Sequence, residues 1–549
     1  MIQKNLLESL IKATNKLGLN TKDVGLTRPS NVFFGDFTSN VALKLSKTLK
    51  KNSYDLAKEI ADNIPANKIV KKIEVIKPGY INFLLDENII LNEIKKEIKT
   101  NKKQKIILEF GQPNTHKVPH IGHLFSYIYG ESLTRLLQFL GNNVKRLNYQ
   151  GDIGLHVAKC LYIVDKEKSE IKNLKTLKQK INFLQKSYQT GSKLYEENKQ
   201  TEKEIDHLNV AIYKKDKSIY DLWQETKKWS LDFYKLFEKK LSIKYDKYYF
   251  ESDGSEIGKE IVEKNIGGIF EKSQGAVIFR GEKYGLHTRI FINKLGNPTY
   301  EGKEIGLNYK KMNDFEFDIS IVTTASEQNE YYKVTTKATE LLYPKIKNKL
   351  THLGYGMINL EGGKISSRTG KIIDAYNLIE VIENEILKEY KTEKETAEKL
   401  SLASIKYSFL KSDPFKNITF NIKKSIAKEG NSGPYILYTY VRTLGILNKI
   451  KKETYVSKID SLNTEESKLL HLSYRFPYII KESAKYFKPH LLANYLFELS
   501  KSFSIFYQKH QVLNADQETK LKRAHITKIV NNILKTGLHL LGIETVNKM

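Results

Sequence analysis

The chain has 549 residues, of which 40% are hydrophobic and 28% charged, enough for about three or four domains with their own cores. No stretch reaches the ~18 uncharged apolar residues of a membrane-spanning helix, and the N-terminus lacks the apolar core of a signal peptide. We therefore expect a cytoplasmic protein with no membrane association. The one cysteine, Cys160, excludes an intrachain disulfide and a zinc site built from several thiolates.

The net charge points to a polyanionic partner. The chain carries 91 Lys and Arg against 63 Asp and Glu, a formal charge of +28, which is typical of proteins that bind nucleic acid. Lysine far outnumbers arginine, however, and a chain this rich in Lys, Asn and Ile also fits an AT-biased genome. Part of the charge excess therefore has an explanation that needs no partner.

The first predicted domain is a small α/β unit over residues 1–97. It opens with a helical pattern, turns at Gly35-Asp36, and continues with an amphipathic stretch from 41 to 50. A pair of strands follows, separated by Pro78-Gly79. A lysine-rich run from 93 to 105 then predicts a solvated connector to the next domain.

The second predicted domain covers 104–375 and is of the α/β class. A buried strand at 106–110, a loop and a helix from 122 to 140 form the start of a βαβ unit, and Gly141 ends the helix. A charged helical stretch from about 161 to 240 indicates an insertion. Beyond 376 the apolar residues keep helical spacing, which predicts an all-α bundle over 376–549.

The sharpest local feature is a five-residue motif between the predicted strand and helix, Pro119-His120-Ile121-Gly122-His123. A glycine here allows a flat group to approach the backbone, and the helix N-terminus attracts phosphate. Two histidines three residues apart project to one side. The motif therefore predicts a nucleotide site. Taken alone, such a pair is more often a helix cap at His120 and an ordinary surface or core histidine at His123, but its position after a strand and a proline-rich loop favours the nucleotide site.

A second motif near the end of this domain is a loop at 362–371 with glycines near both ends. Its cations and hydroxyl groups are suited to phosphate oxygens. Those side chains are Lys364, Ser366, Ser367, Arg368 and Lys371. Such a loop is often only a solvated turn, but its combination with the histidine motif in one domain predicts a polyphosphate clamp.

Together the two motifs resemble the His-Ile-Gly-His and Lys-Met-Ser-Lys-Ser signatures of class I aminoacyl-tRNA synthetases. The second departs from the family pattern, because Ser367 replaces the second lysine. This departure is common among arginyl-tRNA synthetases, which use a lysine before the first signature, and Lys117 occupies that place. Further blocks resemble the same family at 35–42, 78–83, 109–114, 230–233, 244–252 and 433–442.

The resemblance implies a Rossmann-type parallel-sheet catalytic domain, a small α/β N-terminal tRNA-contacting domain and an all-α anticodon-binding bundle. It also implies ATP-dependent activation of arginine, followed by transfer to the terminal ribose of arginine tRNA. The catalytic residues would be His120, His123, Lys117 and Lys364. The ATP site would be formed by His120, Gly122, His123, Lys364, Ser366, Ser367 and Arg368. We expect ATP to bind together with Mg²⁺. We also expect that the protein holds no zinc and that it is a monomer.

Arginine as substrate explains the acidic groups, since a guanidinium is best met by carboxylates. By resemblance, the guanidinium would be held by Glu251, Tyr300 and Glu304, and the α-amino and α-carboxylate end by Asn114 and Gln328, with Glu109 nearby. Position 304 departs from the family's Asp. The tRNA contacts implied by the resemblance are Asn40, Tyr435, Tyr438 and Arg442, whose aromatic and cationic side chains suit single-stranded bases.

Two alternatives remain at this point. One is a class I synthetase of other specificity; the cysteinyl enzyme is excluded by the single cysteine, and the glutamyl and class I lysyl enzymes lack the N-terminal Gly-Asp unit. Small adenylyltransferases share the histidine signature but would leave the helical bundle unexplained. The other alternative is a catalytically silent tRNA-binding relative, for which the altered segment at Glu304 is the best support.

Overall fold

A computed structural model gives the structure of the protein. It describes residues 2–29, 34–96, 98, 103–361, 374–450, 458–459 and 461–549. Within these residues, no helix is both long enough and apolar enough to cross a bilayer.

The N-terminal part is a small antiparallel sheet covered by helices. Its elements are α1 (Ile2–Lys16), β1 (Phe37–Ser39), α2 (Val41–Leu49), α3 (Ser53–Asp62), β2 (Val70–Ile76), β3 (Tyr80–Leu85) and α4 (Glu87–Ile94). The strand order is β1-β3-β2, and Pro78-Gly79 form the turn between the last two, as predicted. Helix α3 begins at an Asn52 side chain that accepts from the backbone N–H groups of Tyr54 and Asp55. Apolar side chains of the sheet and of the helices that cover it form one core.

The central part contains a five-stranded parallel sheet. Its strands are β4 (Lys105–Glu109), β5 (Asn143–Gln150), β6 (Lys247–Phe250), β10 (Ile319–Ala325) and β11 (Leu350–Tyr355), in the spatial order β11-β10-β4-β5-β6. Strand β4 runs into helix α5 (Ile121–Phe139), so the predicted strand, loop and helix are confirmed. The chain leaves β4 toward β5 and later returns on its other side with β10. This reversal opens a crevice at the carboxyl ends of β4 and β10, where ligands bind in such sheets.

Helices surround this sheet, and most of the region from 161 to 240 is helical, as predicted. They are α6 (Leu155–Lys166), α7 (Leu177–Glu197), α8 (Lys199–Tyr213), α9 (Lys217–Lys240), α10 (Glu251–Lys264), α11 (Tyr300–Asp314) and α12 (Asn329–Leu342). A separate antiparallel sheet lies between α10 and α11 and contains β7 (Glu271–Ser273), β8 (Ala276–Phe279) and β9 (Arg289–Ile292).

The C-terminal part is mainly helical. Its helices are α13 (Ala375–Tyr390), α14 (Lys394–Leu410), α15 (Ile422–Ser425), α16 (Gly433–Asn448), α17 (Thr464–Lys485), α18 (Pro489–Lys509) and α19 (Gln517–Leu540). The prediction of helix throughout needs one correction. Strand β13 (Ile418–Phe420) pairs in parallel with β12 (Ile358–Leu360), because two apolar residues of β13 cover the core there while Thr419 faces solvent.

The N-terminal part packs against α17 through a buried polar contact. The Nδ1 atom of His471 lies 2.9 Å from an oxygen of Asp36, and both side chains are almost fully buried. The same Asp36 carboxylate accepts from the backbone N–H of Leu85, and the Arg475 guanidinium donates to the carbonyl of Gly35. The Gly35-Asp36 turn therefore anchors the N-terminal sheet to the helical bundle.

Candidate functional site

The histidine motif forms the N-terminus of α5 and closes it with its own side chains. The Nδ1 atom of His120 accepts from the backbone N–H of Gly122 at 3.1 Å, and Nδ1 of His123 accepts from the backbone N–H of His120 at 3.2 Å. The two rings lie 3.9 Å apart, centroid to centroid. A Cβ on Gly122 would come within 2.9 Å of the His120 ring, so the glycine is required by the cap itself.

Burial and nearby positive charge determine the protonation of both rings. Desolvation and the nearby Lys117 charge lower the pKa of His120, and burial lowers the pKa of His123 well below its usual value, helped by His120 and Lys117. Both imidazoles are therefore neutral at neutral pH. A neutral ring whose Nδ1 accepts a hydrogen bond carries its proton on Nε2. The motif thus supplies two Nε2–H donors at a helix N-terminus, where anions are favoured.

The loop between β4 and α5 is held by the helical insertion. The Tyr234 hydroxyl on α9 donates to the backbone carbonyls of Asn114 at 2.5 Å and Lys117 at 2.8 Å. The Lys117 ammonium lies 4.4 Å from the ring centroid of Tyr188 on α7. Buried His116 contacts the hydroxyls of Thr115 and Thr226. The insertion, whose role the sequence left open, therefore shapes the histidine end of the site.

Gly151, just after β5, brings an amide and a carboxylate together. The Oδ1 atom of Asn114 lies 2.1 Å from the position that a Cβ on Gly151 would take, and Oε1 of Glu251 lies 3.3 Å from the same point. The backbone carbonyl of Gly151 accepts from the backbone N–H of Thr115 at 2.8 Å. Two of the predicted arginine-binding residues thus meet at one glycine, which the sequence analysis did not single out.

Glu251 already has a cation beside it. The Lys303 ammonium lies 2.8 Å from Oε2 of Glu251, and the two side chains are only 4% and 8% exposed. Burial raises the pKa of Glu251, while Lys303 opposes this rise. Sequence reasoning missed Lys303. The signal that could have found it is its spacing, since Tyr300, Lys303 and Glu304 fall on one face of α11.

The remaining carboxylates lie deeper. Glu304 accepts from Asn308 Nδ2 at 3.2 Å and from the Tyr331 hydroxyl at 3.5 Å. Burial raises its pKa to about 7, and the Glu109 charge adds to the rise while Lys311 opposes it. Glu109 itself pairs with Lys311, and its other oxygen accepts from Gln112 at 2.6 Å.

The other predicted substrate contacts are more exposed. The Tyr300 side chain begins α11 and is 61% exposed, and its backbone carbonyl accepts from the Tyr331 hydroxyl. Gln328 is exposed at the end of a short 3-10 turn that follows β10. Both residues are more exposed than the carboxylates, and their roles in binding arginine remain predictions of the sequence analysis.

The second motif lies outside the described residues, so Lys364, Ser366, Ser367 and Arg368 have no structural account. The residue that follows this segment in the structure, Asp374, forms a β-bridge with His120. The backbone N–H of Ala375 also donates to the carbonyl of Pro119 at 2.8 Å. The chain therefore returns from the segment directly beside the histidine motif.

The predicted tRNA contacts divide into separate places. Asn40 is exposed before α2. On α16, the Arg442 guanidinium donates to the Tyr438 hydroxyl at 2.7 Å and lies 4.6 and 4.8 Å from the ring centroids of Tyr438 and Tyr507. Tyr435 is half-buried, and its hydroxyl donates to Ser504. Tyr438, Arg442 and Tyr507 thus form an exposed aromatic and cationic cluster. Among the described residues, no three His, Cys, Asp or Glu side chains are grouped to hold a metal.

Comparisons with known proteins cover the whole chain. Residues 86–422 match the family described as tRNA synthetases class I (R), catalytic domain. Residues 1–85 match the arginyl tRNA synthetase N terminal domain, and residues 436–549 match the DALR anticodon binding domain.

Relatives and solved structures agree with these matches. The arginine–tRNA ligase of Fusobacterium nucleatum is 32% identical over 96% of each chain, and that of Borrelia garinii is 31% identical over 100% of this chain and 99% of its own. The arginyl-tRNA synthetase of Thermus thermophilus superposes with a TM-score of 0.81 at 22% identity over 100% of both chains, and that of Plasmodium falciparum with 0.79 at 22% over 100% and 99%. The chain therefore belongs to the arginyl-tRNA synthetase family and is a class I arginine–tRNA ligase.

Proposed function

We propose that the histidine end of the crevice binds the triphosphate of ATP and activates the arginine carboxylate. The observation that carries this assignment is the capping of His120 and His123, which leaves two Nε2–H donors at the start of α5. Lys117 and Lys364 would neutralise the departing pyrophosphate, with Mg²⁺ entering as part of the ATP substrate. Gly122, Ser366, Ser367 and Arg368 would complete the ATP site, as the family resemblance implies.

The chemistry needs no protein nucleophile. The arginine carboxylate attacks the α-phosphate of ATP, arginyl-adenylate forms and pyrophosphate leaves. The 2′-hydroxyl of the terminal tRNA ribose then attacks the activated carbonyl, and AMP leaves. Catalysis by this chain therefore depends on alignment and on stabilisation of phosphate charge by fixed donors. Resemblance to the arginyl enzymes also supports activation that requires bound tRNA.

The opposite end of the crevice is assigned to arginine. Asn114 and Gln328 would hold its α-amino and α-carboxylate groups, and Glu251, Tyr300 and Glu304 its guanidinium, with Glu109 behind them. The meeting of Asn114 and Glu251 at Gly151 supports this assignment, since it places an amide beside a carboxylate within one site. Glu304, which is longer than the family's Asp, accepts hydrogen bonds from Asn308 and Tyr331 and adds its own negative charge to the pocket when it is ionised.

The tRNA would contact both outer parts of the molecule. Asn40 would serve in the N-terminal domain, assigned to 1–97, and Tyr435, Tyr438 and Arg442 in the anticodon-binding domain, assigned to 376–549, on either side of the catalytic domain at 104–375. The exposed stacking of Arg442 on Tyr438 and Tyr507 supports a base-binding role. By family resemblance we assign the protein to the cytoplasm and expect it to be a monomer. Light scattering would test the oligomeric state.

ATP–pyrophosphate exchange tests the site assignment. The assay is run over all twenty amino acids, with and without tRNA, on the wild type and on Lys117→Ala and Lys364→Ala. We expect exchange with arginine and tRNA only, slowed strongly in both variants with little change in equilibrium arginine binding. Lys178→Ala is a matched control, since this exposed lysine pairs with Glu380 away from the site. An unchanged activation rate in Lys117→Ala or in Lys364→Ala would show that the substituted lysine takes no part in the mechanism.

A further inference from the structure

Lys303 is an ammonium group buried inside the pocket assigned to a cationic substrate. Its side chain is 4% exposed, and its Nζ lies 2.8 Å from Oε2 of Glu251. The same Nζ lies 5.0 Å from the ring centroid of Tyr300 and 5.5 Å from that of Tyr213. Burial opposes the charge on Lys303, but the Glu251 carboxylate outweighs it and raises the pKa of the lysine. The lysine therefore stays charged beside the Glu251 carboxylate at neutral pH.

No other described cation pairs with Glu251. Asp152, the nearest other carboxylate, is neutralised separately by Lys227 at 2.5 Å and by the backbone N–H and hydroxyl of Ser252. The titratable groups that act on Glu251 or feel its charge are Asp152, Tyr149, Tyr300, Lys303 and Tyr332. Lys303 is the cationic member of this set, so the ionisation of Glu251 depends on it.

The pair also fixes the direction of the carboxylate. Oε2 of Glu251 is occupied by Lys303, whereas Oε1 lies on the side of Gly151 and Asn114. One oxygen is thus anchored from α11, and the other lies near the amide of Asn114, which is also assigned to arginine. A carboxylate held in this way loses little further freedom when it accepts a hydrogen bond.

Two resident lysines leave the pocket with a single uncompensated charge. Glu251 pairs with Lys303 and Glu109 pairs with Lys311, while Glu304 accepts only from the neutral groups of Asn308 and Tyr331. At a pH above about 7, where Glu304 is ionised, three carboxylates and two ammonium groups leave one negative charge. One guanidinium carries one positive charge, so the bound pocket would be neutral.

We propose that Lys303 is a positioning residue that determines specificity for a monocationic substrate, by holding Glu251 ionised and oriented and by limiting the pocket to one net negative charge. This inference rests on the assignment of Glu251 to the guanidinium site. Without Lys303, a buried Glu251 would take up a proton, because an unpaired buried carboxylate favours its neutral form. Arginine would then have to displace that proton in order to bind.

The test measures KM for arginine by tRNA-dependent exchange between pH 8 and 9.5, in the wild type and in Lys303→Met, Lys303→Arg and Lys310→Met. We expect Lys303→Met to raise this KM at least roughly tenfold at pH 8, and the KM to fall with rising pH by up to about tenfold per unit as Glu251 loses its proton. Lys303→Arg keeps the charge and should keep the wild-type profile, which includes the titration of the α-ammonium of the substrate. Lys310→Met is the matched control, because Lys310 is partly exposed on the same helix and faces Asp253.

The outcomes separate this inference from the site assignment. A pH profile and an arginine KM equal to those of the wild type in Lys303→Met would overturn the inference, and so would a lower KM, which would mean that Lys303 competes with the substrate. If Lys303→Met does not fold, Lys303→Gln removes the same charge while still donating to Glu251. Glu251→Gln decides the other point: if it leaves the arginine KM unchanged, the pocket assignment fails; if it raises the KM while Lys303→Met does not, only the role of Lys303 fails.

Discussion

The two ends of the crevice solve opposite electrostatic problems. At the histidine end the donors are neutral, and each is fixed by a backbone N–H within three residues. At the arginine end two buried carboxylates are paired with lysines, and the Glu251–Lys303 pair joins residues 52 positions apart. A polyanion can be met by neutral donors on a helix N-terminus, whereas a cation in a buried pocket needs charges that already have partners.

This difference shows which part of the site depends on the packing of distant elements. The two histidine caps are formed by consecutive residues of the motif and the helix they begin, although α7 and α9 hold the loop before them. The arginine end exists only when β4, α10 and α11 pack together, since each supplies a carboxylate or its lysine. We expect substitutions at the arginine end to affect both stability and binding, and those at the histidine end to affect the reaction rate alone.

The largest expected effect is on stability at the arginine end. Glu251→Gln leaves the Lys303 ammonium buried without its partner, which we expect to lower the free energy of unfolding by about 3–5 kcal/mol. The double variant Glu251→Gln with Lys303→Met removes both charges and should recover most of that loss. Urea unfolding measures both.

Additive losses in the double variant would show that the pair is not coupled. The matched control is the exposed pair of Lys178 and Glu380, whose side chains are 66% and 38% exposed. Removing the Lys178 charge should change the free energy of unfolding by less than about 1 kcal/mol.

The next effect is on rate at the histidine end. We expect His120→Asn and His123→Asn each to lower the rate of adenylate formation about a hundredfold, because each removes a fixed donor to the developing phosphate charge. KM for arginine and the urea midpoint should stay near the wild-type values. Single-turnover activation measures the rate, and His510→Asn, in which the lost ring pairs with Glu465 in the helical bundle, is the control.

A large rise in the arginine KM of either histidine variant would break the comparison, because it would couple the two ends. A rate loss of the same size in His510→Asn would show that replacing a structural histidine is sufficient. Neither is expected, since the side-chain hydrogen bonds of His120 and His123 are to backbone N–H groups of their own motif.

The sequence was sufficient for the parts of this molecule that are local. Three local features could be predicted because each depends on residues that are neighbours in the sequence. They are the strand before α5, the histidine motif and the helical insertion. The order of the sheet could not, since β10 joins β4 from more than two hundred residues away. The same holds for the Asp36–His471 contact, which links positions 435 apart.

The arginine pocket was only half predictable. Resemblance supplied the carboxylates Glu109, Glu251 and Glu304, but it did not supply their partners Lys303 and Lys311. A lysine in a helical sequence is usually a solvated residue, and the spacing of Lys303 with Tyr300 and Glu304 shows only a shared helix face, not a buried ammonium. Only the packing of α11 against α10 and β4 reveals which charges are already neutralised.

A smaller effect separates Glu304 from the other carboxylates. Because its pKa is raised to about 7, Glu304 becomes neutral as the pH falls below 7 and loses its attraction for a guanidinium. We expect KM for arginine to rise by up to about tenfold per pH unit below that value. Glu304→Gln should raise the KM and abolish this pH dependence.

Glu238→Gln provides a matched control for this titration. Burial raises the pKa of Glu238 to about 7 as well, but its oxygens accept from Tyr127, Asn148 and Tyr248, none of which is assigned to arginine. Its removal should leave the arginine profile unchanged. If Glu238→Gln flattens the profile and Glu304→Gln does not, the titrating group has been assigned to the wrong carboxylate.

The smallest effect lies outside both ends of the crevice. Tyr438 is 44% exposed beside Arg442, and a base stacked on it would lose about 1 kcal/mol of binding in Tyr438→Ala, the low end of the usual range because Tyr507 and Arg442 remain. KM for tRNA should rise about fivefold at constant KM for ATP and arginine. Tyr486→Ala, which removes an equally exposed tyrosine at 47%, should leave all three unchanged. A change in the arginine KM of Tyr438→Ala would mean that the bundle influences the amino-acid pocket, and the independence of the two ends would then hold only while tRNA is bound correctly.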